Sequence, residues 1–283
     1  MVKVLAVSGG VDSIVMLDML ADSGAVVAHF NHGIREDSDE DERFVGMLAR
    51  KYGVQYESRR EDLGSGASEE LARIRRYEFL FSVAEKYGGR VHTAHHLDDL
   101  VETVAINLIR GTGWRGLVPL DDERVERPML RRTKQENLEY AMQHGLEWRE
   151  DSTNADKKYL RNRVRGGLGD LATNGDIPRE IFGLYELQRG IKNEVDEAVS
   201  GLVEMRGTYP RGWFRGLDDS VAQEILRAIF VAMGRSTTRV QRGLMLEAIR
   251  TFGTGKKLNV LKGLMVVFSK TEFWFEEDKL ISV

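Results

Sequence analysis

The sequence predicts an α/β fold: a doubly wound, mostly parallel sheet followed by a smaller, mainly helical C-terminal domain. Three observations predict it. Short apolar runs alternate with amphipathic stretches of helical period through the first 110 residues, the pattern of parallel βαβ units. A Gly-Gly pair falls between the first run and the first helix, where such sheets place their ligand loops. The alternation ends before a stretch rich in Gly, Asn, Thr and Asp at 166–176. A boundary is therefore expected between domains of residues 1–175 and 176–283.

Each element follows from its own pattern. Residues 2–8 (VKVLAVS) read as a buried strand, and Ile14 to Leu20 continue as a helix. Residues 25–31 (AVVAHFN) are the second strand. Residues 38–52 are helical, with acids in the first turn where the helix dipole favours them. Val54 to Ser58 is a short third strand, and residues 68–87 a helix with Ser68 as N-cap. Residues 90–95 form the fourth strand, and 97–110 an amphipathic helix with Leu97, Leu100, Val101, Val104, Ala105 and Leu108 in one stripe. Residues 111–130 are a Gly- and Pro-punctuated loop, followed by helices at 133–144, near 159–170, and near 178–204, 219–233 and 239–251. Strand-like runs at 258–269 and 271–276 close the chain.

The 283 residues, 42% of them apolar, suffice for an ordinary packed core. No run of about 18 apolar residues exists to span a membrane, and the N-terminus lacks the pattern of a secretory signal. There are no cysteines, which excludes disulfides, thiolate zinc sites and chemistry that carries sulfur on the chain. A soluble cytoplasmic protein with no membrane partner is expected. The net charge of −4 excludes a globally basic nucleic-acid binder, so such a partner must meet a local patch. Lys157, Lys158, Arg161, Arg163 and Arg165 supply one; acids gather between Glu36 and Glu42 and are expected to be a solvated helix start.

Four motifs carry chemistry. In SGGVDS, Gly9 and Gly10 allow close approach of a ligand. The helix beyond presents N–H groups to an anion, and Ser8 and Ser13 carry hydroxyl donors. Asp12 is acidic in an anion site, which makes sense if a metal ion lies between it and a phosphate. No lysine ends the loop, so it is not the P-loop of kinases and GTPases. In the second motif Asn31, His32 and Arg35 follow the second strand, at the carboxyl edge of the sheet. In the third, His95, Asp98, Asp99 and Glu102 open the helix after the fourth strand, beside the same edge as Asp12. Carboxylates near a phosphate loop suit metal binding or base catalysis. In the fourth, REDSTNADKKYLRNRVR, Arg161, Asn162 and Arg165 recur at helical spacing and suit phosphate contact.

SGGVDS resembles the signature of the PP-loop ATP pyrophosphatases, whose sheet is adenine-nucleotide-hydrolase-like and which split ATP into AMP and pyrophosphate. The four motifs in order resemble those of the tRNA(Ile)-lysidine synthetases, as do ARIRRYEFL at 72–80 and RPMLRRTKQE at 127–136. The likeness covers roughly residues 4–170. Leu100 stands where many members carry Gln, the tail reads GLVPL rather than GL-x-G-M, and the chain ends earlier than the longer members.

The resemblance implies ATP and Mg2+ as cofactors, with free L-lysine and the isoleucine tRNA bearing a CAU anticodon as partners. C2 of the wobble cytidine would be adenylated and lysine would then displace AMP. It implies a pyrophosphate cradle of Ser8, Gly9, Gly10, Val11, Asp12 and Ser13, and metal binding by Asp12 and Asp99. Asp98, Glu102 and His95 would serve the lysine amine and the chemistry, and Arg76 and Arg110 would meet ATP. Asn31, His32, Arg35, Arg73, Arg161, Asn162 and Arg165 would meet the tRNA or substrate, and residues 176–283 would assist tRNA recognition. A homodimer is left open. The rivals are another PP-loop enzyme, such as a thiolase or a glutamine-dependent synthetase, and a non-catalytic nucleotide sensor or tRNA binder. The absence of cysteine weighs against the first pair.

Overall fold

The computed structural model describes residues 1–33, 38–64, 68–149, 164, 167, 176–203 and 207–277. It divides into two compact units, Met1–Arg189 and Gly190–Val283. The first holds a parallel sheet of β1 (Val2–Ala6), β2 (Ala25–Asn31), β3 (Gln55–Arg60), β4 (Gly89–His92) and β5 (Val125–Glu126), ordered β3-β2-β1-β4-β5. Its helices are α1 (Val11–Leu20), α2 (Ser38–Lys51), α3 (Glu69–Tyr87), α4 (Leu97–Ile109) and α5 (Lys134–Gln143). The expected doubly wound sheet is present, with one strand the sequence pattern did not reveal. That strand, β5, is two residues long and lies in the stretch expected to be loop.

Strand alternation decides which helix covers which face. Leu5, Val7, Ala25 and Val27 pack with α1, α2 and α5. Val4, Val26, Ala28 and Val91 pack with Phe79, Leu80 and Val83 of α3 on the other face. The chain passes from β1 outward through β2 to β3, then returns to β4 on the opposite side of β1. The crevice between the carboxyl ends of β1 and β4 is therefore the topological switch point, where open α/β sheets bind ligands.

The stripe expected along α4 is buried only in its first turns: Leu97, Leu100 and Val101 are buried, whereas Leu108 is exposed. Leu97 and Leu100 join Val118, Leu130 and Tyr185, with Phe182 against them. Leu100 thus packs in a core, away from the polar side of α4. Phe182 and Tyr185 belong to α6 (Ile177–Ser200), and Arg189 of the same helix reaches Asp121 at 3.2 Å. These contacts carry the start of α6 into the first unit, which is why the units part at Arg189–Gly190 rather than at the expected 175/176.

The second unit contains the rest of α6, the short α7 (Gly212–Arg215), α8 (Asp219–Ala232) and α9 (Arg239–Thr251). It also has an antiparallel sheet ordered β6-β9-β8-β7, with β6 (Tyr209–Pro210), β7 (Lys257–Leu261), β8 (Leu264–Phe268) and β9 (Glu272–Glu277). The run 258–269, expected as one strand, is a hairpin: Gly263 adopts φ of 76° and turns the chain between β7 and β8. Phe214, Phe230, Phe268 and Phe273 are fully buried together. Beside them the buried guanidinium of Arg211 donates to the carbonyls of Ile249 (2.7 Å), Ser269 (2.6 Å) and Phe252 (2.7 Å). It ties the end of α9 to the β8–β9 turn. No helix among the described residues is long and apolar enough to cross a membrane.

Arg211→Met removes all three bonds and strands three carbonyls. It is expected to destabilise the chain by about 2–5 kcal/mol, measured by urea unfolding.

Candidate active site

The loop after β1 is braced from both sides. The Val7 N–H donates to the Ala28 carbonyl (3.0 Å), and His29 Nδ1 donates to the Val7 carbonyl (2.8 Å). Burial holds the His29 pKa below its ordinary value, against the opposing pull of the Val7 carbonyl and the Glu42 and Asp41 charges. Gly9 sits at φ +98°, a conformation that favours glycine. A Cβ there would meet Val45 and Phe44 only at ordinary contact distance, so backbone angle and not space requires glycine. Ser13 is buried, and its hydroxyl donates to the Gly10 carbonyl (2.8 Å) while accepting from the N–H groups of Ser8 and Gly9 (3.2 Å each). Ser13 therefore shapes the loop in this conformation, whereas Ser8 is exposed. Gly10 is the N-cap of α1 and no side chain caps it, which leaves the helix end open to an anion.

Asp12 faces a cluster built at the switch point. Its Oδ2 receives Lys134 Nζ (2.6 Å) and its Oδ1 receives Asn137 Nδ2 (3.0 Å), both from α5. Asn137 is fully buried and also accepts from Arg132 Nε (2.8 Å). From α4, His96 Nε2 stands 3.8 Å from Asp12 Oδ2 and 3.5 Å from Asp99 Oδ2, and Nδ1 is 3.2 Å from Asp98 Oδ2. Asp99 accepts from the His96 N–H (3.0 Å), and Asp98 from the Lys134 N–H (2.7 Å). Asp98 and Glu102 are buried, unlike the polar face of a surface helix. Burial works to lower the His96 pKa, but Asp98, then the charges of Asp99 and Asp12, raise it overall. Burial works to raise that of Asp98, but His96 and the Lys134 N–H hold it below its usual range.

Of the residues singled out in the sequence, the structure brings together the loop, Asp12, Asp98 and Asp99. His95 instead meets Thr93 Oγ1 at 2.8 Å, and its neighbour His96 enters the cluster. Asn31 is committed to the framework: its amide donates to Asp39 and Glu42 (2.9 Å each) and accepts from the Gly33 N–H. His32 follows it at the strand end, where its carbonyl accepts from the Leu63 N–H (3.2 Å). Arg73 and Arg76 lie exposed on α3, each over the Tyr77 ring at 5.6 Å. Arg110 is the exposed C-cap of α4. At about 1.5 Å per residue it is on the order of 20 Å from His96 along the helix, so it is not gathered with the loop. Arg35, Arg161, Asn162 and Arg165 lie outside the described residues.

Within the acidic run Glu40 is exposed and Asp39 half-exposed, as a solvated helix start requires, whereas Asp41 is buried. Asp39 pairs with Arg60, while Arg149 pairs with Glu40 (2.9 Å) and Asp41 (2.5 Å). The Arg149 N–H also donates to the Gly9 carbonyl (3.0 Å). Arg149, Lys134, Asn137 and His96 are the site residues that sequence reasoning missed. The AHHLDD segment and RTKQEN were visible, but nothing local pairs Lys134 with a residue 122 positions earlier.

Residues 2–171 match the model of the PP-loop domain family. The chain is 33% identical over 281 residues to a tRNA(Ile)-lysidine synthase of Thermotoga sp. strain RQ2, covering 93% of this chain and 67% of that protein. The chain belongs to the tRNA(Ile)-lysidine synthases. It is an enzyme of that family, with the family's ATP-binding PP-loop domain. A second tRNA(Ile)-lysidine synthase, of Exiguobacterium sibiricum, is 33% identical over 270 residues, which span 92% of this chain and 58% of that one. Among solved structures, the tRNA thiolase NcsA of Methanococcus maripaludis superposes with a TM-score of 0.54 at 19% identity, over 66% of this chain and 73% of that one. This last likeness is one of fold.

In the tRNA(Ile)-lysidine synthase site, Asp12 and Asp99 offer hard carboxylate oxygens, and Asp12 already holds a cation in the Lys134 ammonium. That donor chemistry fits Mg2+, which is bound by one or two carboxylates together with substrate phosphates. Among the described residues no set of three His, Asp or Glu side chains forms a complete metal cage.

Burial disfavours the protonated His29 ring in the fold, while in the unfolded chain it takes up a proton near pH 6.5. Its contribution to stability is fully present above that pH and is lost as pH falls through the depressed folded value. His29→Gln is expected to flatten the decline in stability between about pH 7 and about pH 5, read by urea unfolding across that window.

Proposed function

We propose that the enzyme ligates free L-lysine to C2 of the wobble cytidine in the isoleucine tRNA with anticodon CAU, through an adenylated cytidine. One observation carries the proposal: an uncapped helix N-terminus and four titratable groups, Asp12, His96, Asp98 and Asp99, share the switch point of the sheet. Adenylation needs a held pyrophosphate and charge stabilisation placed beforehand. The N–H groups of Gly10 and the start of α1 hold the phosphates. The cytidine C2 oxygen attacks the α-phosphorus, the bond to the bridging oxygen breaks, and pyrophosphate leaves. Asp12 and Asp99 would hold Mg2+, which would supply neutralisation of the phosphate charge. The lysine ε-amine then attacks C2, the C2 oxygen leaves within AMP, and the amine loses a proton. The acid cluster attracts the cationic lysine, and Glu102 takes that proton.

The test uses the purified chain, ATP, labelled lysine and tRNA transcripts. Lysine incorporation and AMP release, both requiring the wobble cytidine, are expected. ATP binding with neither product would overturn the proposal in favour of a nucleotide sensor. Asp12→Ala is expected to abolish incorporation while leaving the far-UV circular dichroism spectrum intact; full activity would remove Asp12 from the mechanism.

A further inference from the structure

Lys134 sits where a lysine is locally disfavoured. It is the first residue of α5, behind a Thr133–Glu136 capping box, so its charge faces the positive end of the helix dipole. Its main chain is fixed by the N–H bond to Asp98, and its ammonium lies 2.6 Å from Asp12. The side chain is 42% exposed, so the ammonium can leave Asp12 without crossing packed core. Asp12 would stay in place, because the buried Asn137 holds its other oxygen and is itself held by Arg132. The loop Ser8–Ser13 has the glycines of a phosphate cradle but no lysine at its end, and polyphosphate loops that carry one use it on the β- and γ-phosphates.

We infer that Lys134 supplies in space the cation this loop lacks in sequence. In the free enzyme it neutralises Asp12; with ATP bound it moves onto the β- and γ-phosphate oxygens. When the bond between the α-phosphorus and the bridging oxygen breaks, the electron pair remains on the departing pyrophosphate. Lys134 meets that charge with its N–H groups and transfers no proton. This rests on the adenylation reading above, and assigns Lys134 to the leaving group.

The test measures equilibrium binding of ATP, pyrophosphate and AMP to wild type, Lys134→Gln and Lys134→Arg by calorimetry, alongside thermal melting. Losing a charge-assisted contact is expected to weaken ATP and pyrophosphate about tenfold to a hundredfold in Lys134→Gln. AMP, which lacks those phosphates, should bind as in wild type, and Lys134→Arg should recover most of the loss. Equal weakening of AMP, or a lowered melting temperature with ATP binding unchanged, would make Lys134 a structural partner of Asp12 and overturn the inference. If Lys134→Gln does not fold, Asp12→Asn/Lys134→Gln, which leaves neither charge of the pair alone, is compared with Asp12→Asn: a further loss of pyrophosphate affinity with AMP affinity equal sustains the inference, and equal affinities for both overturn it. Failure of wild type to bind ATP would instead reject the adenylation reading.

Discussion

The first unit depends on how one carboxylate is shared. Asp12 stands in the first turn of α1, yet both its oxygens are held from α5, by partners 122 and 125 positions away. It therefore joins the glycine loop to the far side of the domain at the point where ligands enter. Asp18, two turns further along α1, repeats the arrangement by accepting from Tyr52 of the α2 end (2.5 Å) and Tyr140 of α5 (2.9 Å). Burial, then Asp18, pushes the Tyr52 hydroxyl well above its ordinary pKa. Three helices are thus oriented by two carboxylates over one apolar cluster. The apolar contacts supply most of the stability, and the polar ones fix which way the helices point.

Charge at the site is balanced closely. His96 gathers three aspartates within 3.8 Å or less, and each carboxylate would be costly there without a partner. The N–H groups of three helix starts face the same crevice: α1 through Gly10, α4 through His96 and α5 through Lys134. Their dipoles favour negative charge in that crevice. The result is a place where carboxylates and outward-facing backbone N–H groups stand side by side.

Much of this was legible in the residue pattern, for reasons that local physics supplies. α9 matches its expected span, since Thr238 and Gln241 form a capping box at its start. Ser68 caps α3 as expected, accepting from the Leu71 N–H at 3.1 Å. What was not legible depends on distant partners or on single-residue shifts. β4 ends at His92 rather than running to residue 95, and that change decides which of two adjacent histidines faces Asp12. β5 is too short to have a period. Lys134 and Asn137 look like an ordinary helix start until the sheet closes and sets them against α1. Asp41 looks solvated until Arg149 arrives from beyond α5 and pairs with it.

Arg149 also bears on the loop's freedom. Gly9 is held through the peptide groups on both of its sides, its N–H by Ser13 Oγ and its carbonyl by the Arg149 N–H. Gly9 has more conformational entropy to lose than any other residue type, and here that loss has been taken during folding. A nucleotide would meet a loop already in shape, so little of its binding energy goes into ordering the glycine. Discrimination then falls to complementarity with a rigid surface: a ligand of the wrong length cannot be accommodated by a loop that has no slack to give.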